Sequence, residues 1–155
     1  MAYSRDEAFD THKDYKENVN QWEFFIRSFN GGYDYTIGQY LNRYNLELDN
    51  EYNQRLGNTP CDNHCKNIIQ IYSSFLFRVK ASRDFGDMAD DPSLESFLKD
   101  ADLEGNSFNS VMKQAQIYSS IYGHCFLILD KPAIQTRTRA EELEQDIRPY
   151  LSLVT

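Results

Sequence analysis

The chain has 155 residues, 41% of them hydrophobic, which suits one domain or a piece of a larger protein, burying roughly two-thirds of the surface that the unfolded form exposes. Its 24 acids outnumber 16 bases for a net charge of -8, which argues against gripping nucleic acid through neutralised phosphates, since that needs clustered Lys and Arg. No run of about 18 apolar residues occurs, MAYSRDEAFD lacks the apolar core of a secretory signal, and three cysteines are an odd count for a disulfide scaffold, so synthesis in a reducing cytoplasm is expected.

Ser4-Arg5-Asp6-Glu7 has the form of a capping box. Behind it Ala8, His12, Tyr15, Val19, Trp22 and Ile26 recur at helical spacing until Asn30-Gly31-Gly32. The spacing predicts one long amphipathic helix from Arg5 to Phe29, and residues 1–32 are expected to form an element distinct from 33–155. Its polar face mixes both signs, which suits a partner helix or sheet rather than a membrane. Leu41, Tyr44, Leu48 and Tyr52 also follow helical spacing, ended by Gly57 and Asn58. Thr59-Pro60-Cys61-Asp62 then reads as a helix start, with Thr59 as cap, Pro60 in the first turn and Asp62 complementing the dipole. The apolar face continues through Cys65, Ile68, Ile69, Tyr72, Phe75, Leu76 and Val79, and this most apolar helix is expected at the centre of the core.

KASRDFGDMADDP reads as a loop, and Asp91-Pro92 as the cap of a short helix carrying Leu94, Phe97 and Leu98. Ser107 caps a helix running to Tyr122, with Val111, Ala115, Tyr118 and Ile121 or Tyr122 inward and Gly123 as its stop. The run His124 to Leu129 has the composition of a strand buried on both sides. Thr138-Arg139-Ala140-Glu141 is a further capping box, opening a helix with Ala140, Leu143 and Ile147 inward that Arg148-Pro149 closes. Tyr150 to Thr155 alternates like a strand, and a strand needs a neighbour, so the chain is expected to continue in a longer protein.

The negative charge is concentrated. Asp84, Asp87, Asp90, Asp91, Glu95, Asp100, Asp102 and Glu104 face Lys99 alone between residues 84 and 104, a solvated acidic face or a surface that repels a passing polyanion. With Tyr and Phe contributing 11 and 10 residues, many rings are expected at half-wet positions or interfaces.

Cys61, His64, Cys65, His124 and Cys125 hold enough ligand atoms for zinc, but the spacing is poor. Cys61 and Cys65 share a helical face with Ile68, Ile69 and Tyr72 and behave as small hydrophobes, while His124 and Cys125, adjacent in a strand, point to opposite faces. Asp100, Asp102, Glu104 and Gly105 resemble the start of a calcium loop, yet the closing twelfth position is Val111, so an acidic turn is expected. No GxxxxGKS, GxSxG or HExxH occurs, and no motif supports a thiol dyad of Cys125 with His64 or of Cys65 with His124. The residues therefore predict no catalytic, cofactor-binding or metal site, and no enzyme.

Several stretches in order resemble the N-terminal part of bacteriophage portal proteins, the head-to-tail connectors. They are GQYLNRYNLELDNEYNQR (Gly38 to Arg55), NHCKNIIQIYSSFLFR (Asn63 to Arg78), FLKDADLEGNS (Phe97 to Ser107), AQIYSSIYGHCFLILDKP (Ala115 to Pro132) and RPYLSLVT. The helix from Arg5 to Phe29 has no counterpart in the resemblance. Portal subunits span several hundred residues, so the resemblance implies an N-terminal, wing-like piece lacking the clip, stem and crown. It also implies a ring, usually of twelve copies, at a capsid vertex of the virion. Such a ring contacts major capsid protein, terminase and tail adaptors and passes double-stranded DNA. The expected fold is α+β and helix-rich, with core helices on a small sheet. The rival expectation is a small head-completion adaptor or an acidic protein-interaction module.

Overall fold

A computed structural model describes residues 11–60, 62–133 and 138–155. It is helix-rich α+β: among the described residues there are seven α-helices and a two-stranded antiparallel sheet. The chain divides into two compact units, Met1–Asn67 and Ile68–Thr155, so the boundary expected after Gly32 falls inside the first.

In the first unit, α1 spans Lys13–Asn30. Residues 11 and 12 are not helical, so the helix does not run unbroken from Arg5. His12 caps it instead, its Nδ1 accepting from the Asp14 amide at 3.3 Å. The Ser4–Glu7 box and Ala8 lie outside the described residues. Val19, Trp22 and Ile26 are half-buried, and the Tyr15 ring sits 5.8 Å from Trp22. Gly31 (φ 69, ψ -169) ends α1 in a conformation essentially restricted to glycine, and α2, Gly32–Ile37, follows.

The spacing from Leu41 to Tyr52 does not build one helix; only α3, Asp49–Asn58, forms. Side chains compete for the backbone just before it. Arg43 Nη2 donates to the Glu47 carbonyl at 2.7 Å, and the Glu47 carboxylate accepts from the Tyr44 amide at 3.1 Å, holding a turn where a helix would need those groups free. Thr59 closes α3 rather than opening the next helix: its amide and hydroxyl both donate to the Arg55 carbonyl, at 2.9 and 2.6 Å. Accordingly α4 is His64–Leu76, not a helix from Pro60. Asn63 takes the capping role, its Oδ1 accepting from the Lys66 amide at 2.9 Å. Asn63 Nδ2 also donates to the Phe29 carbonyl, which ties this cap to the end of α1.

In the second unit the expected loop contains one short 3-10 turn, Gly86–Met88. Helix α5, Pro92–Lys99, is capped by Asp91, whose Oδ1 accepts from the Ser93 amide at 2.9 Å. Helix α6, Phe108–Tyr122, starts at Ser107 and stops at Gly123, left-handed with φ 81, as expected. Strand β1 (Phe126–Asp130), helix α7 (Arg139–Glu144) and strand β2 (Tyr150–Val154) complete the unit. The strands pair antiparallel, Phe126 opposite Val154 and Asp130 opposite Tyr150, so the neighbour that β2 needs is β1. The core is Ala101, Val111 and Leu151, with Phe97, Phe108 and Leu153 packed against it. Ala101 links loop and strand through its backbone, donating to Asn106 and accepting from Leu151, each at 2.7 Å.

Three further expectations are corrected. Helix α4 is not the centre of the core: Ser73 is its one buried residue, whereas Cys65, Ile68, Tyr72, Phe75 and Leu76 are exposed and Ile69 is half-buried. The apolar strand begins at Phe126 rather than His124 and is exposed along its length, unlike a strand that helices cover on both faces. Helix α7 ends at Glu144, before Arg148-Pro149, because the chain turns at Asp146 with φ 50. Ala140 is exposed, Ile147 is buried beyond the helix end, and the Leu143 side chain lies outside the described residues.

Candidate functional site

The first stretch of the portal resemblance folds into a clasp around one guanidinium. Arg55, on α3, grips Glu47 with two parallel hydrogen bonds, Nε to Oε1 and Nη2 to Oε2, both 2.7 Å. Its Nη2 also donates to the Asn42 carbonyl at 2.8 Å. The guanidinium lies 4.5 Å from the Tyr44 ring centre and 5.6 Å from that of Tyr52, a stacking geometry that arginine supports and lysine does not. Tyr52 donates to the Leu41 carbonyl at 2.9 Å, and Arg43 pairs with Asp49 at 2.7 Å. Beside the clasp is a cleft of about 300 Å³ whose walls include Tyr35, Leu41, Leu56, Thr59 and Pro60. Its walls are largely apolar, and the polar groups of the clasp are bonded to one another.

The second unit has its own charged hub. Arg148 is 5% exposed, and its Nη2 donates to Asp100 Oδ2 at 2.7 Å. A longer contact of 3.4 Å joins Nη1 to Asp146. Asp100 Oδ1 accepts from the Gly105 amide at 2.9 Å. Asp102 Oδ1 accepts from the amides of Glu104 and Asn106, at 3.0 and 3.1 Å, and its Oδ2 from the Asn106 side chain at 2.7 Å. Asp100 and Asp102, two of the acids that resemble a calcium loop, thus turn their carboxylates onto amides and a guanidinium, while Glu104 stays exposed. The loop is an acidic turn, and Arg148 supplies a positive charge to it.

Both hubs titrate in acid. The bonded Arg55 guanidinium, helped by the Tyr44 amide, holds the Glu47 carboxyl below its ordinary value of 4.5. Arg148, with the Gly105 amide, does the same for Asp100 below 3.8. Both groups favour the folded state when ionised, so their contribution is complete above those ordinary values and is lost as pH falls below them. Glu47→Gln and Asp100→Asn are each expected to flatten the fall of melting temperature on acidification below pH 4.5 and 3.8 respectively. Unchanged slopes would remove the hubs from the acid response.

The other sequence candidates do not come together. His64 and Cys65 are exposed in the first turn of α4, and Cys61 lies outside the described residues. The His124 ring is 5.6 Å from that of Phe126, and partial burial pushes the Cys125 thiol up from its ordinary value. Among the described residues no group of three or more His, Cys, Asp or Glu is placed to hold a metal ion. The acidic segment is also less free than its composition implies. Asp84 accepts from the Gly86 amide at 2.9 Å, Asp91 caps α5, Glu95 pairs with Lys99 at 2.7 Å, and Asp100 and Asp102 build the turn. Asp87, Asp90 and Glu104 remain as exposed charges.

What sequence reasoning missed is surface. Ile68, Ile71, Tyr72, Phe75 and Leu76 form one stripe of α4 at the i, i+3, i+4, i+7, i+8 spacing, and all five are exposed, Phe75 to 69%. On the sheet, Leu151 and Leu153 turn toward the core, while Phe126, Ile128 and Val154 share the opposite, exposed face. The signal for the stripe was present in the periodicity, which locates an apolar face without saying what covers it. No described helix is long and apolar enough to cross a membrane. No protein-family model matches the chain, and no curated protein matches it.

Proposed function

We propose that the chain is a structural subunit of a phage portal ring at the capsid vertex of the virion, with no catalytic role. The carrying observation is the amount of large apolar surface left open on α4 and β1, which a chain acting alone keeps small and which an assembly subunit needs. The resemblance running from Gly38 to Thr155 supplies the kind of assembly. Its motifs fall on the Arg55 clasp, on α4, on the Asp100–Asn106 turn and on the sheet. In this role the ring passes double-stranded DNA and docks terminase, capsid protein and tail adaptors. The exposed Asp87, Asp90 and Glu104 suit a surface that phosphate should not stick to.

A second role, a small head-completion adaptor or an acidic interaction module, draws on the same open surface without the ring. Negative-stain images of the purified full gene product separate the two. Rings of about a dozen subunits are expected, and a stable monomer at every concentration tested overturns the portal assignment.

A further inference from the structure

Two open apolar faces lie in the second unit, and they are of complementary kinds. One is the α4 stripe from Ile68 to Leu76; the other is the outer sheet face of Phe126, Ile128 and Val154. A helix stripe packed on a sheet face is one of the few stable ways in which protein architecture buries such surfaces. Within one copy both remain exposed, so neither covers the other.

We infer that α4 of one copy of this chain docks on the outer face of the β1–β2 sheet of the next. The lengths agree: eight residue steps of helix from Ile68 to Leu76 run about 12 Å, and the four steps of β1 run about 14 Å. The areas agree as well. At roughly 200 Å² per large side chain, five side chains more than half exposed present roughly 600 Å². With the sheet face and flanking residues added, the contact reaches the roughly 1,000 Å² that a specific interface requires. The charges are opposite in sign. Arg78 and Lys80, both exposed, follow the stripe, and exposed Asp130 ends the strand on the same face as Phe126 and Ile128.

Because the two surfaces differ, the contact is head to tail. It therefore propagates from copy to copy, closing into a ring or running on as a filament, instead of stopping at a symmetric pair. It rests on these two faces and not on the portal assignment: copies that associate into open oligomers keep the contact while failing to make the ring.

The test is sedimentation of the 155-residue chain with Phe75→Glu and Ile128→Glu. Both positions are exposed, at 69% and 50%, so far-UV circular dichroism is expected to be unchanged. Tyr72→Lys and Phe126→Lys replace them if it is not. The wild-type chain is expected to associate with rising concentration, and each variant alone to associate at least tenfold more weakly. An equimolar mixture of the two variants is expected to form a species of two chains, because one helix face and one sheet face remain intact between them. A wild-type chain that stays monomeric overturns the inference. So does an Ile128→Glu variant that associates like wild type, which points to helix pairing, or a Phe75→Glu variant that does so, which points to sheet pairing. A mixture that stays monomeric overturns it too.

Discussion

Replacing Arg148 with alanine is expected to lower the melting temperature by about 5–10 °C. The guanidinium is almost wholly buried and joins Asp100, 48 residues earlier, to the stretch leading into β2. Removing it leaves Asp100 Oδ2 without its closest partner and opens a void beside the buried Ile147. Breaking the pair from one side costs more than the pair contributes, because Asp100, with its side chain 30% exposed, is left a half-desolvated charge without its partner. The damage should spread, since Ala101, next to Asp100, bonds the Leu151 amide and sits in the core. Arg148→Lys keeps the charge but not the planar fork, so it should fall between alanine and wild type. Calorimetry of the three chains checks the order, and an Arg148→Ala chain that melts like wild type would show that the pair is dispensable.

Gly31→Ala is the second large effect, a destabilisation of about 2–4 kcal/mol from backbone strain and a disturbed cap. The φ of 69 with ψ of -169 lies where a side chain is strained whatever the space around it. Here there is no space either: an added Cβ would fall 2.6 Å from Asn63 Nδ2 and 3.1 Å from Asn63 Cβ. Asn63 is the residue that caps α4 and bonds the Phe29 carbonyl, so moving it loosens two helix ends at once. Gly32→Ala provides the comparison, with φ 58 but nothing within 4 Å of its added Cβ, and should cost clearly less. Urea unfolding followed by the single tryptophan, Trp22 on α1, reads both. Equal midpoints for the two variants would mean that contact with Asn63 contributes nothing.

Local chemistry was legible and long-range cover was not. Asp91 before Pro92, Ser107 before Phe108 and Gly123 after Tyr122 mark helix ends because capping involves atoms within four residues of one another. The same logic misplaced the start of α4, since Thr59 has the right side chain to cap a helix and an equally good use in closing the one before it. Leu41 to Leu48 kept helical spacing without becoming helical, because Arg43 and Glu47 bond a turn and Arg55 reaches back to hold it. Nothing local announces that bond, which spans eight residues.

The sequence by itself determined the helix-rich α+β class, the stop at Gly31, the start of α5, the bounds of α6, the strand character of Tyr150 to Val154 and most of the apolar stripe of α4, all of which follow from propensity, capping and period. Only the tertiary structure decided that β2 pairs with β1, that Arg148 is buried against Asp100, and that the most apolar helix faces outward. The reason is that periodicity reports which side of an element avoids water, whereas burial depends on whether another surface arrives to cover it. In this chain α4 and β1 keep their apolar side chains exposed.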